Sequence, residues 1–394
     1  MNLPAFRRMG EKKALAAICL LILCAMSVAA FWPFNPHPAN HVAWLDGENG
    51  LRFSGGGIIL SSGKFEFPDS ETPGGVSLEV WLEPLQDRNS TSLLAFSSPA
   101  NPERFRLRQA QNYLLILQES APASRHSAIT WLWVPHAFQA RKRRFIALTS
   151  GAQGTTVYLD GTPAEKSPNF RIASKDFSGQ LIVGVSPAAY DTWRGKLLGV
   201  ALFRREITPG QVSEHYQAWL KGRPEAIEND QPAALYTFAE RAGNMVHNQV
   251  GSGPNLAIPE SFNIPYKPFL KAAWKEFYPS RAYLLDILIN VAGFVPFGFF
   301  FCMYLSSGQT SRKTVVTTIL LGAALSLTIE VLQAFIPVRD SGTTDIFTNT
   351  LGAAMGALLC RWASSHAFPR ERDCDPASPA KQREPKRRLL GKTL

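Results

Sequence analysis

Six polar side chains interrupt three apolar stretches in the last third of this 394-residue sequence. Asp286 and Asn290 lie in LLDILINVAGFVPFGFFFCMYL, Glu330 and Gln333 in TVVTTILLGAALSLTIEVLQAFIP, and Asp345 and Asn349 in DIFTNTLGAAMGALLCRW. Ionisable groups in such surroundings are costly and face a partner or a cavity instead of lipid. Two carboxylates can share acid and base duties, so Glu330 and Asp345 form the catalytic pair if the chain is an enzyme. Asn290 and Asn349 would then orient a substrate. The structural alternative is interhelical hydrogen bonding, worth about a kcal/mol per bond.

Each stretch of roughly 17–24 residues is long enough to cross a hydrocarbon core of about 30 Å as a helix. Within a helix, Asp286/Asn290 and Asp345/Asn349 are i,i+4 pairs and Glu330/Gln333 an i,i+3 pair, so each pair shares one face. Gly352 and Gly356 continue the Asn349 stripe and let a second helix approach closely. Pro296 removes a backbone hydrogen bond and kinks its helix, in the run Pro296-Phe297-Gly298. The connecting loop adds Arg339 and Asp340. These groups make a polar pocket of Asp286, Asn290, Gln333, Arg339 and Asn349 around the two carboxylates, favoured over pure interhelical bonding.

Charge orients the spans. The net charge is +10, and the basic residues cluster at the two ends. Arg7, Arg8, Lys12 and Lys13 precede the apolar run 14–32, and Arg370, Arg372 and six further lysines and arginines follow Trp362. Basic flanks of apolar spans mark the cytoplasmic side, an explanation preferred here to nucleic-acid binding. Residues 1–13 and 363–394 are then cytoplasmic, and the region between the first two spans lies outside. The run 14–32 is either a first span or a signal peptide, with Val28-Ala29-Ala30 as a small-residue cleavage site. Leu23 before Cys24 argues against a lipid-anchored cysteine. Five cysteines lie outside 33–280, so the middle region holds no disulfide, and none has metal-ligand spacing.

Residues 40–260 carry no helical period of useful length. They hold short β-rich runs separated by Gly, Pro, Asn and Ser, among them VSLEVWLEPL, TSLLAFSS, YLLILQES, ITWLWVPH and TTVYLDGT. Many short strands at regular intervals imply an antiparallel sandwich. Trp131 and Trp133 share one strand face by the period of two, read here as the core face. Trp193 is balanced between core and sugar stacking. Asp69, Asp160 and Asp191 are scattered, which does not support a Ca2+ site, and no cofactor or metal is expected. Arg141 to Arg144 reads as a solvated strand entry. The segment 261–283 mixes aromatics and lysines, as an interfacial linker does.

The order Val76–Leu82, Thr156–Gly161, Trp193–Phe203 and Ile207–Val212 resembles a laminin-G-like, concanavalin-type jelly roll. That resemblance implies glycan or protein recognition. Asn290-x-x-x-Phe294-x-Pro296-Phe297-Gly298, Glu330-x-x-Gln333 and Arg339…Asp345-x-x-x-Asn349-x-x-Gly352 resemble the signature of VanZ-like membrane proteins. The departure is at Asp340, which is separated from Asp345 where the family often has a close acidic pair. The family's usual first span favours retention of 14–32, with the sandwich inserted in the loop that follows. Its name-giving member implies a link to glycopeptide-antibiotic resistance.

The chain is thus expected to be a multidomain protein of the bacterial inner membrane. An α-helical bundle of about four spans, 14–32 and three within 284–362, carries an extracytoplasmic all-β sandwich. The expected partners are the lipid bilayer and a cell-envelope glycan, lipid-linked precursor or envelope protein, with no nucleic acid. A non-enzymatic role leads, and an intramembrane enzyme using Glu330 and Asp345 is the alternative.

Overall fold

The computed structural model describes residues 3–67, 75–119, 129–251, 253–277, 280–306 and 310–367. Asp69 and the basic tail beyond residue 367 lie outside them. The chain divides into two compact units, one of Met1–Met26, Tyr278–Ser326 and Asp345–Leu394, the other of Ser27–Phe277 and Leu327–Thr344.

The second unit is built on a β-sandwich. Helix α1 (Leu3–Phe31) leads into β1 (Val42–Trp44), β2 (Leu51–Ser54), β3 (Ile59–Ser61), β4 (Val76–Pro84), β5 (Ser90–Ser98), β6 (Asn101–Ala110), β7 (Tyr113–Glu119) and β8 (Ile129–Val134). Then come β9 (Arg144–Gly151), β10 (Gly154–Leu159), β11 (Thr162–Ser167), β12 (Gln180–Val183), β13 (Arg194–Phe203) and helix α2 (Pro209–Leu220). The strands β14 (Ala234–Tyr236), β15 (Met245–Val246) and β16 (Leu256–Ala257) finish it. One sheet runs β1-β2-β13-β4-β9-β10-β11 with β14 on β13, and the other runs β15-β16-β3-β12-β5-β6-β7-β8. All pairings within these sheets are antiparallel.

Alternation explains the layers. Leu78, Val80 and Leu82 of β4 meet Leu94 and Phe96 of β5 and Phe105 of β6 in the core shared by both sheets. The opposite face of β4 presents Trp81 to a second cluster with Phe145, Phe203, Val212 and Trp219, where α2 packs. The start of α2 is fixed by Thr208, whose side chain accepts from the Gln211 amide in a capping box, with Pro209 in the first turn. Asp160 and Gly161 both take positive φ between β10 and β11, as a two-residue hairpin turn matched to strand twist requires.

The two ends of the sandwich are zipped together. The Asn40 amide donates to Glu260 O at 3.0 Å and the Phe262 amide to Pro38 O at 2.8 Å. The Asn40 side chain donates to Ile58 O and Pro259 O and accepts from the Ile58 amide.

The expectation for Trp131 and Trp133 needs correction. Trp131 and Trp133 do share a face of β8, but it is the outer one: they are 59% and 47% exposed. Leu132 and Val134 supply the inward face, where Val134 is fully buried and Leu132 packs on the core. Of the two readings left open for Trp193, the core one holds: it is fully buried, packed against Phe53 and donating from Nε1 to Gln109 Oε1 at 3.0 Å.

A four-residue turn of helix, α3 (Ala273–Glu276), precedes α4 (Arg281–Leu305), α5 (Arg312–Gln333) and α6 (Thr343–Ala367). Among the described residues, three segments are long and apolar enough to cross a membrane: Glu11–Phe31, α4 and α5. Helix α6 has the length of α4 but a more polar composition, set by Thr343, Thr344, Asp345, Thr348 and Asn349. Helix α5 stops at Gln333, four residues short of the apolar stretch's end at Pro337; tight turns through Ala334–Arg339 take over.

Candidate functional site

In the first unit, α4 and α6 approach through glycine. A Cβ on Gly352 would drive into Val291 O, one on Gly356 into Val295 O, and one on Gly298 into Ala353 O. Only a residue with no side chain lets two helix backbones come this close. Pro296 lies inside α4, which runs on without a break to Leu305. Cys302 of α4, Val315 of α5, and Ala357 and Cys360 of α6 pack together farther along the unit.

This close approach places the polar groups of the unit. Asn290 Nδ2 donates to Asp345 Oδ1 at 2.7 Å, joining α4 to the first turn of α6. Asn349 is buried and donates from Nδ2 to Ser326 Oγ at 3.0 Å, joining α6 to α5. The Ser326 hydroxyl leans toward Asp345 O at 3.5 Å, at the limit of a hydrogen bond. Asp286 is exposed on α4, apart from the hydrogen bonds that join Asn290, Asp345, Asn349 and Ser326. Ser326 is an addition to the expected set; its spacing of four residues before Glu330 is the signal that could have found it.

The second unit holds Glu330, Gln333 and Arg339, and each of them bonds backbone. Glu330 is 1% exposed, and its Oε2 accepts from the Gly342 amide at 2.7 Å. Ser341 Oγ donates to Glu330 O at 2.8 Å. Gln333 Nε2 donates to Ala30 O at 2.9 Å, while Arg339 donates from Nη2 to Ala29 O at 2.7 Å and from Nε to Trp32 O at 3.2 Å. These are the carbonyls that the end of α1 leaves without helical partners.

Two residues of the linker complete the arrangement, and both are additions to the expected set. Lys267 Nζ donates to Gln333 O (2.9 Å), Ala334 O (3.3 Å) and Ile336 O (2.6 Å), spending its three protons on the end of α5. Burial pushes its pKa below the usual lysine value, against the opposing pull of Asp340 and Glu330. A cation at a helix C-terminus also complements the macrodipole, by about 0.3–1 kcal/mol near a surface. Glu276 Oε2 accepts from the Thr344 amide at 3.0 Å, an anion at the start of α6. Its carboxylate packs over Gly342, where a Cβ would have no room. Lys271 joins the same loop, its amide donating to Ser341 O and its carbonyl accepting from Thr343. In sequence these residues look like parts of a membrane-surface linker, because nothing local shows which backbone they reach.

The arrangement is a set of helix-end clasps. The side chains of Gln333, Arg339 and Lys267 all donate to backbone carbonyl oxygen. Among the described residues, no group of three or more His, Cys, Asp or Glu gathers as a metal site would. Asp160 pairs with Arg144, and Asp191 with Arg108 at 2.6 Å.

On the sandwich, Ile129, Trp131 and Trp133 stand on the outer face of β8 beside Leu115 and Leu117 of β7. Tyr113 packs edge-on against Trp133, with ring centroids 5.9 Å apart. The result is an exposed aromatic face on an edge strand.

Residues 233–364 match the VanZ/LLP1 family, and residues 59–213 match a laminin-G family of the concanavalin A-like lectin/glucanase superfamily. The first match begins within the sandwich, at β14. No curated protein matches the sequence. Similar solved structures include the heptameric SAP-like pentraxin from Limulus polyphemus, 13% identical over 46% of this chain and 79% of its own, with TM-score 0.31. A protein of Bacteroides ovatus described as carbohydrate binding is 11% identical over 58% of this chain and 62% of its own, with TM-score 0.35. The receptor binding domain of a botulinum neurotoxin C/D mosaic is 10% identical over 46% and 45%, with TM-score 0.34.

Proposed function

We propose, for a membrane protein that joins a VanZ-like domain to a laminin-G-like sandwich, a recognition role in the bacterial envelope. In this reading the helices anchor the chain in the inner membrane, and the sandwich stands outside and binds an envelope glycan. The observation that carries it is the exposed pair Trp131 and Trp133 with Tyr113. Aromatic faces offer stacking surface to sugar rings, and the match to a lectin-containing superfamily supports the same ligand class.

Replacing Trp131 and Trp133 together by alanine is expected to weaken binding to envelope polysaccharide about tenfold or more, a loss of about 1.4 kcal/mol. The near-ultraviolet circular dichroism of the core aromatics should stay unchanged. Full-strength binding by the doubly substituted protein would remove these rings from the recognition surface.

The helical domain supports a scaffolding role more than an acid–base one. A general base must reach the proton it removes, and Glu330 is enclosed and engaged with a backbone amide. Glutamine at 330 keeps a carbonyl oxygen for the Gly342 amide, so Glu330→Gln is expected to leave function intact. Leucine keeps none and orphans a buried donor, at a cost of about 1–3 kcal/mol.

The test is glycopeptide susceptibility of cells expressing the intact chain, Glu330→Gln or a deletion of 45–260, at matched membrane levels. Protection by the intact chain that Glu330→Gln abolishes would favour the acid–base alternative over scaffolding. Protection lost only with the sandwich would support recognition.

A further inference from the structure

Three helix ends lie in one unit with their orphan backbone groups bonded by side chains or backbone from elsewhere in the chain. The carbonyls at the end of α1 take Gln333 and Arg339, those at the end of α5 take Lys267, and the first turn of α6 takes Glu276. Water can also satisfy helix-end groups; here the chain itself supplies their partners. The clasp also draws together three chain segments: 29–34, 267–277 and 333–344.

These segments carry an unusual surface. Trp32, Phe34, Phe269, Trp274, Phe277 and Phe335 are all exposed, Trp274 by 81%. Trp32 packs edge-on against Phe34 at 6.2 Å. Six large aromatics left open within three short segments mark an interaction surface, not incidental exposure. Their position selects the occupant. Trp32 directly follows the last residue of α1, and Phe335 comes two residues after the end of α5. Both helices are apolar enough to span a bilayer, and protein covers almost none of the apolar stretch within Glu11–Phe31. Aromatic rings at the ends of such spans sit at the level of the lipid headgroups.

We propose that Trp32, Phe34, Phe269, Trp274, Phe277 and Phe335 form a collar that inserts into the lipid headgroup layer, held in shape by the Arg339, Gln333 and Lys267 clasps. These segments of the second unit are thereby a lipid-binding surface, beyond its covalent attachment to the spans. The collar also requires α1 to remain on the protein, since Arg339 and Gln333 hold its last carbonyls. The proposal depends on the membrane-spanning reading of the helices and not on glycan binding.

The experiment uses full-length protein in phosphatidylcholine nanodiscs brominated either near the headgroup or near the chain end. Tryptophan emission is compared among the unsubstituted chain, Trp274→Phe and Trp32→Phe, so each difference spectrum reports one ring. Each ring's component is expected to be blue-shifted and quenched chiefly by the headgroup-proximal bromines. Arg339→Lys should shift the Trp32 component and leave the Trp274 component in place. A Trp274 component with water-like emission that neither bromine quenches would overturn the collar. Stronger quenching by the chain-end bromines would overturn the headgroup placement as well. Glycan binding through Trp131 and Trp133 is read separately, so the failure of one reading leaves the other standing.

Discussion

Replacing His215 by leucine is expected to destabilise the sandwich by about 3–5 kcal/mol, because it strands a buried carboxylate. His215 sits on α2 between two acids. Its Nδ1 is 2.7 Å from Glu79 Oε1 and its Nε2 2.8 Å from Asp230 Oδ2, while its ring stacks on Phe203 at 5.5 Å. Glu79 is fully buried on β4 and is hydrogen-bonded to this ring. Removing the imidazole leaves that carboxyl with no counter-ion. Replacing Glu79 and His215 together by leucine should recover much of the loss, since an apolar pair needs no compensation.

The same triad makes stability depend on pH. Burial alone would lower the His215 pKa, but hydrogen bonds to Glu79 and Asp230 and their charges raise it above 6.5. A group raised in the folded state stabilises fully below its unfolded pKa, and that contribution is lost as pH rises through the folded value. Burial raises Glu79 above 4.5, which works in the same direction. Asp230, although burial opposes it, is held below 3.8 by His215 and Gln211, so its contribution is lost only as pH falls through that depressed value. Stability of the sandwich should therefore decline from weakly acidic toward alkaline pH. Denaturant unfolding of the full chain in detergent reads this slope, which should flatten in the doubly leucine-substituted protein. An unchanged slope in that protein would assign the pH dependence to other groups.

Gly352→Leu is expected to separate α4 from α6 and to prevent the first unit from packing. The obstruction is backbone, Val291 O, which has no rotamer in which to move aside. Overpacking costs about 1–3 kcal/mol where side chains can adjust, and more where they cannot. Gly356→Leu should act alike against Val295 O. Gly293 is the internal control: it lies on α4 with no atom within 4 Å of the point where a side chain would begin, so Gly293→Ala should be neutral or slightly stabilising. Thermal unfolding in detergent compares the three. A Gly352→Leu protein that melts with the unsubstituted chain would mean the helices do not approach at that glycine.

The separation of strands from spans could be read from residues alone. β-rich runs bounded by turn residues mark the strands from Val76 to Phe203 apart from the polar β11, and long apolar runs broken by few polar residues mark α4 and α5. The short strands β1, β3, β15 and β16 escape because two to three residues show no period. On β8 the pattern is ambiguous for a physical reason: Leu132 and Val134 alternate with Trp131 and Trp133, so both faces are apolar. Size decides it, with the smaller side chains turned inward at the edge of the core. For the polar groups, spacing shows the shared faces on each helix but not their partners. Asn290 with Asp345, and Asn349 with Ser326, are contacts between helices. The clasps of Lys267 and Glu276 act over 66 residues or more, beyond any local pattern.

The zipped stems at Pro38–Asn40 and Glu260–Phe262 have an evolutionary consequence. Chain enters and leaves the sandwich as a bonded pair, about 5 Å apart as neighbouring strands are. A domain whose ends meet can be spliced into a loop, or lost from it, without stretching what lies on either side. The sandwich can therefore be cut out between Asn40 and Glu260 and the gap closed by a two-residue turn, with the chain on either side left in place.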